Sequence, residues 1–137
     1  LERSQALMGV ADNLKALQDE FIRTADFDAA EPTVIIGLTL GQRIQEQGPY
    51  LIDQLMGNAI ERKFLQQLDP LTAAGPGGQT AAARLETLDA NLLEIKTLSS
   101  GFAEALVTMD DATRSQYLAK MKAEGELAAL RWVAARK

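Results

Sequence analysis

The chain contains no cysteine and no histidine, and these two absences remove more chemistry than any residue present adds. Without cysteine there is no disulfide and no thiolate chemistry, although the absence is compatible with any redox compartment. Without histidine the Ser-His-Asp and Cys-His arrangements are excluded. So are the Glu-x-x-His pairs with which ferritin-like bundles hold two irons, and the usual catalytic zinc ligands. A haem would have to rely on methionine or tyrosine alone. No Gly-x-x-x-x-Gly-Lys-Ser/Thr phosphate loop occurs, because Gly75-Pro76-Gly77-Gly78 has no following lysine and its proline removes an amide donor. No cofactor and no metal site is expected.

Basic charge is also scarce. Lys and Arg number 14 against 19 Asp and Glu, a net charge of −5. Nucleic-acid binders need a basic surface to displace phosphate counterions, so no nucleic-acid partner is expected. The same sign opposes general adsorption to anionic membranes. Long apolar runs are missing too. The longest, Val34-Ile35-Ile36-Gly37-Leu38, falls far short of the ~20 residues that cross a bilayer. A first residue of Leu rather than Met is what a processed product or an excised piece would show, and an export signal could have preceded it.

Aromatic residues make up only 5% of the chain, but hydrophobic residues as a whole make up 47%. The core must therefore be built mainly from Leu, Ile, Ala and Met, a palette that suits helices better than sheets. A chain of 137 residues fits one domain and hides roughly two-thirds of its unfolded surface on folding. The pattern agrees. Leu7, Val10, Leu14, Leu17 and Phe21 form one helical stripe over 4–23, with Ser4 as candidate N-cap. Asp28 to Glu31 has capping-box spacing before Pro32, which predicts a second helix over 32–47.

Gly48-Pro49 interrupts that helix, and a third is predicted over 50–68. Its face of Ile52, Leu55, Met56, Ala59, Ile60, Phe64 and Leu68 is broad enough to be buried inside the monomer or to pair with another copy. Asp69-Pro70 ends it, and residues 71–78 read as a flexible connection. A fourth helix over 80–107 carries Leu85, Leu88, Leu92, Ile95, Phe102 and Leu106 at heptad positions, with Ser99-Ser100-Gly101 as a weak point. Thr108 and Asp111 have capping-box spacing ahead of a fifth helix over 110–135. The short connection predicts an antiparallel pair of these last two. The fold class is all-α, a compact antiparallel bundle of four to five helices.

What remains for chemistry is carboxylate. Asp26, Asp28 and Glu31 cluster as hard-cation ligands do, but without the spaced oxygens, glycine and distal Glu of an EF-hand, and helix capping accounts for them better. Asp110 and Asp111 read as a helix start. Glu61, Glu94 and Glu104 have basic neighbours such as Arg62, Lys63 and Lys96, which reads as a solvated charged face.

Gly37 and Gly41 lie four apart in the second helix, with Gly9 and Gly57 in others. A helix-interior glycine costs ~1 kcal/mol against alanine. Tight helix–helix packing would offset that, and a groove for a ligand or partner helix is the functional alternative. Met56 and Trp132, with Tyr50, Phe64, Phe102, Met109, Tyr117 and Met121, are core residues or the lining of an apolar pocket. The candidate groove or packing face is therefore Gly37, Gly41, Met56 and Trp132. The basic end of the chain, from Leu130 to Lys137, suits a helix C-terminus, with an acidic partner or lipid head group as the alternative.

The stretch Gly48-Pro49-Tyr50-Leu51-Ile52-Asp53-Gln54-Leu55-Met56-Gly57-Asn58-Ala59-Ile60 resembles a segment of uncharacterised bacterial helical proteins that carry an export signal or membrane anchor. The likeness covers residues 48–68. It implies a periplasmic or extracellular location and no particular chemistry. The reading that follows is a non-enzymatic interaction or structural module with a protein partner or self-association. The alternatives are a bundle that binds an apolar ligand or lipid, and an enzyme that works through carboxylates alone.

Overall fold

A computed structural model describes residues 2–23 and 27–136, with side chains for all of these except residues 4, 21–23 and 27–31. The chain is all-helical, and among the described residues there is no strand. The helices are α1 (Glu2–Arg23), α2 (Phe27–Gln47), α3 (Leu51–Leu65), α4 (Ala81–Thr108), α5 (Asp111–Glu124) and α6 (Glu126–Ala135), with a short 3₁₀ turn at Pro76–Gly78. The expected Ser4 cap and the Asp26, Asp28 and Glu31 cluster lie outside the described residues or side chains.

Among the described residues six helices replace the expected four to five. The segment 110–135 is not one helix: Gly125 adopts φ 96°, a left-handed value that only glycine takes readily, and it separates α5 from α6. The cap of α5 is Asp110, whose carboxylate accepts from the Thr113 amide at 2.7 Å, and not Thr108, which belongs to α4. Pro32 lies inside α2 instead of at its first turn. The third helix stops at Leu65 and not 68. The amides of Gln67 and Leu68 turn back three residues, tightening the chain before Asp69-Pro70. Ser99-Ser100-Gly101 does not interrupt α4.

The segment expected to be a flexible connection is tied down. Thr72 and Pro70 carbonyls accept from the Ala81 and Ala82 amides at 2.7 and 3.0 Å, which satisfies two of the orphan donors at the start of α4. The Thr80 hydroxyl accepts a third, from Ala83, at 3.2 Å.

Close contacts fix the helix directions. Positions 37, 41 and 57 face 64, 61 and 41 across the α2–α3 interface, so these two helices run antiparallel. Arg3 pairs with Asp53 and Lys63 with Asp12, so α1 and α3 run parallel. The fifth helix packs chiefly on α6, and α6 on α4, so the antiparallel pair expected of α4 and α5 has few direct contacts. Their link is the stacked rings of Phe102 and Tyr117, 4.9 Å apart.

Among the described residues there are two apolar clusters. The first joins α1, α2, α3 and the start of α4 through Ala11, Val34, Leu38, Ile60, Phe64 and Leu88, among others. The second joins the end of α4 to α5 and α6 through Phe102, Tyr117, Leu130 and Val133, with Leu51 reaching in from α3. The fourth helix spans both.

Candidate functional site

The α2–α3 seam explains three of the glycines. A Cβ at Gly37 would stand 2.3 Å from the Phe64 ring, one at Gly41 2.8 Å from the Glu61 amide nitrogen, and one at Gly57 2.5 Å from the Gly41 carbonyl. Each glycine is present because another atom occupies the space of a side chain. Behind this seam Glu61 is fully buried. Arg84 grips it in a bidentate pair with both N···O distances at 2.7 Å, and Gln45 donates to it at 2.8 Å. The carboxylate raises the Arg84 pKa above its ordinary value, against the opposing effect of burial. Glu61 is thus no part of a solvated face, contrary to the sequence reading. It pins α2, α3 and α4 together, and its donors leave it little capacity for other chemistry.

The face of α3 turned away from that seam is open. Between α1 and α3 lies a shallow groove, largely open to solvent, lined by Gln5, Met8, Gly9, Asp12, Ile52, Leu55 and Met56. Ile52 is 54% exposed and Leu55 38%, so both project from the surface. Met56 is buried at the floor. The ion pairs Arg3–Asp53 and Lys63–Asp12 stand at the two ends. From position 52 to 63 the helix rises ~16 Å at 1.5 Å per residue, about three turns. Gly9 has nothing within 4 Å of a built Cβ, unlike the seam glycines, and its φ is not left-handed. Among the described residues, neither packing nor backbone conformation accounts for it.

A second cavity, about 330 Å³, opens where the α2–α3 turn meets α4 and the start of α6. It is polar, with Gln54, Asn58, Asn91, Glu46, Glu94 and Arg131 among its lining. Its carboxylates are largely engaged. Arg131 holds Glu94 in a bidentate pair and keeps its carboxyl below the ordinary value. Glu126 accepts from the Leu51 amide at 2.8 Å, and Lys120 pairs with Glu124.

Of the four residues singled out in the sequence, the structure places Gly37 and Gly41 on the α2–α3 seam and Met56 on the floor of the α1–α3 groove. Trp132 packs against the second cluster, with Arg136 stacked over its ring at 4.8 Å. They do not form one site. Sequence reasoning did not single out Gly9, Met8, Ile52 and Leu55 as a group. Its available signal was the breadth of the α3 stripe.

Comparison with protein-family profiles, with curated proteins and with solved structures finds no match to this chain. Among the described residues no helix is long and apolar enough to cross a membrane, and no three acidic side chains are grouped to hold a metal ion.

Proposed function

We propose that the chain is a non-enzymatic interaction module whose binding face is the α1–α3 groove. The observation that carries this reading is Gly9: a helix-interior glycine that no described residue requires, set in the α1 wall of an apolar groove whose α3 wall carries the half-exposed Ile52 and Leu55. A helix costs ~1 kcal/mol in stability to keep such a residue, and close approach of a second backbone is the use that offsets it. Two parallel helices that flank an apolar furrow are the geometry that receives an amphipathic helix, with anchors at i, i+3, i+4 and i+7.

The reading of an enzyme that works through carboxylates alone has weaker support, because Glu61, Glu94 and Glu126 are each committed to a structural partner. A location outside the cytoplasm belongs to the proposal through the likeness of residues 48–68 to exported bacterial proteins.

The test is a photo-crosslinking amino acid at position 5, on the groove wall, in the chain expressed in its host. A single defined polypeptide adduct is expected, and Leu55→Glu should remove it while far-UV circular dichroism stays the same. Absence of any adduct at position 5, with efficient crosslinking from a control position inside the fold, would overturn the reading.

A further inference from the structure

The polar cavity where the α2–α3 turn meets α4 and the start of α6 is biased in what it offers an occupant. Its volume of about 330 Å³ stands at the lower end of the ~300–1,000 Å³ range of small-molecule sites. At the ~30 Å³ that one water fills in the liquid, it holds on the order of ten heavy atoms. It shares no lining residue with the α1–α3 groove, so a ligand here is independent of the binding face proposed above.

Three amides in its wall are turned the same way. Gln54 spends its nitrogen on the Gln45 and Gly48 carbonyls at 2.6 and 3.4 Å. Gln45 donates to the Gly41 carbonyl at 3.2 Å and to Glu61 at 2.8 Å, and Asn58 to the Leu88 carbonyl at 2.9 Å. Each orientation is fixed, because the reverse would set oxygen against oxygen. What these side chains have left for a guest is an acceptor. Asn91, also in the wall, makes no side-chain hydrogen bond among the described residues.

Charge has the same bias. Glu46, Glu94, Glu124 and Glu126 line the cavity, with Arg131 as the only cation in the lining. Arg131 cancels Glu94 and Lys120 cancels Glu124. That leaves the charges of Glu46 and Glu126, since Arg84, whose charge Glu46 feels, is already held by Glu61. A concave site lined by one sign of charge focuses the field and gathers ions of the other sign. No three acids among the described residues are grouped to hold a metal ion. The negative charge is therefore spread around the cavity, which suits an extended organic cation and not a bare divalent ion that needs about six or more oxygens at ~2.3–2.6 Å. Tyr50, 54% exposed in the wall, adds an aromatic ring of the kind that attracts ammonium and guanidinium groups. We infer that this cavity is a binding site for a small organic amine or guanidine with two positive charges, which donates its N–H groups to Gln54, Asn91, Glu46 and Glu126.

The test is a titration of the intact chain with agmatine and putrescine, read by calorimetry and by backbone amide NMR signals, with arginine and butanediol as controls. Saturable binding of a dication is expected with Kd below about 1 mM. The amides of Gly48 and Gly125, which line the cavity, should shift, and that of Gly9 should not. Arginine differs from agmatine by one carboxylate and should bind about tenfold more weakly or worse, while butanediol should not bind. Glu46→Gln and Asn91→Leu change side chains that hold nothing else in the fold, so each should weaken binding about tenfold with an unchanged urea midpoint. Failure of both dications to saturate overturns the inference. So does butanediol binding as well as putrescine, tighter binding of magnesium or calcium at the same amides, or an affinity that both variants leave unchanged. Crosslinking from position 5 is indifferent to all of these outcomes, so the α1–α3 binding face stands or falls separately.

Discussion

The same substitution, glycine to alanine, should have opposite effects at two helical positions of this chain. At Gly57 the new methyl would stand 2.5 Å from the Gly41 carbonyl oxygen, 2.6 Å from the Gln45 Cγ and 3.0 Å from the Gln45 amide nitrogen. Two of those atoms belong to the α2 backbone and cannot rotate away. The helices must separate, which stretches the Gln45–Glu61–Arg84 network behind the seam. Overpacking of this kind costs about 1–3 kcal/mol, and the gain in helix propensity returns about 0.5–1 kcal/mol. A net loss of about 1–2 kcal/mol is expected. At Gly9 no described atom beyond the local helix backbone lies within 4 Å of the new Cβ, so the propensity gain stands alone at about 0.5–1 kcal/mol of added stability. For a domain of this size each 1 kcal/mol moves Tm by about 3–5 °C, so the two variants should depart from the parent in opposite directions by a few degrees each. The assay is thermal and urea unfolding followed by circular dichroism at sub-micromolar concentration, where any dimer is dissociated. Shifts of the same sign in both variants would refute the reasoning, and so would a neutral Gly57→Ala.

Three further outcomes follow from the packing. Glu61→Gln leaves the Arg84 guanidinium, 12% exposed, without its charge partner. It should cost about 3 kcal/mol in urea unfolding, with most of the loss recovered in Glu61→Leu combined with Arg84→Met. Gly125→Ala forces an L side chain into φ 96° and brings its Cβ to 3.2 Å from the Pro49 carbonyl. A loss of about 1–2 kcal/mol is expected, read from the fluorescence of Trp132, the only tryptophan, which sits on the adjoining helix. Glu94 has its folded pKa held below the ordinary 4.5 by Arg131. Its pairing therefore stabilises fully above that ordinary value and is lost as pH falls through the lower folded one. Because the pair is well exposed the contribution is small, below about 1 kcal/mol. Glu94→Gln should flatten the acid limb of the urea midpoint below pH ~4.5, and salt should do the same.

What could be read from the residues depended on range. The α2 to α4 stripes and the breaks at Gly48-Pro49 and Asp69-Pro70 were legible because a 3.6-residue period and a missing amide donor are local properties. Gly125 escaped because apolar residues recur at helical spacing on both sides of it, at Leu118, Met121, Ala128 and Trp132, and its positive φ is set by the turn against Pro49. Glu61 was misread for a similar reason. Arg62 and Lys63 beside it look like a surface, while the partner that buries it is 23 residues away. The groove was half legible. Ile52, Leu55 and Met56 belong to a stripe visibly broader than one neighbouring helix needs, but which part of it α1 leaves uncovered depends on the α1–α3 packing, and no local pattern encodes that.

The first turn of α3 is where the two halves of the molecule meet, and it makes the groove depend on a residue outside it. Leu51 points into the second cluster, Ile52 into the groove, and Asp53 inward, where its carboxylate accepts from the Tyr50 amide at 3.2 Å and pairs with Arg3. The Leu51 amide has no partner within its own helix. Glu126 supplies one at 2.8 Å, while its own amide donates to the Pro49 carbonyl at 2.7 Å. These reciprocal bonds hold the turn from the far side. Removing the acceptor with Glu126→Ala leaves an orphan donor and should cost about 1 kcal/mol, as loss of a cap does. The first turn of α3 then frays, and Ile52 no longer stands in a fixed rotamer above the furrow. Crosslinking from position 5 should therefore weaken severalfold although the side chain removed does not line the groove. Glu126→Gln keeps a neutral acceptor and should restore most of both effects. If Glu126→Ala lowers the urea midpoint of the chain but leaves the crosslink from position 5 as strong as before, Ile52 is not an anchor and the proposed binding face is wrong.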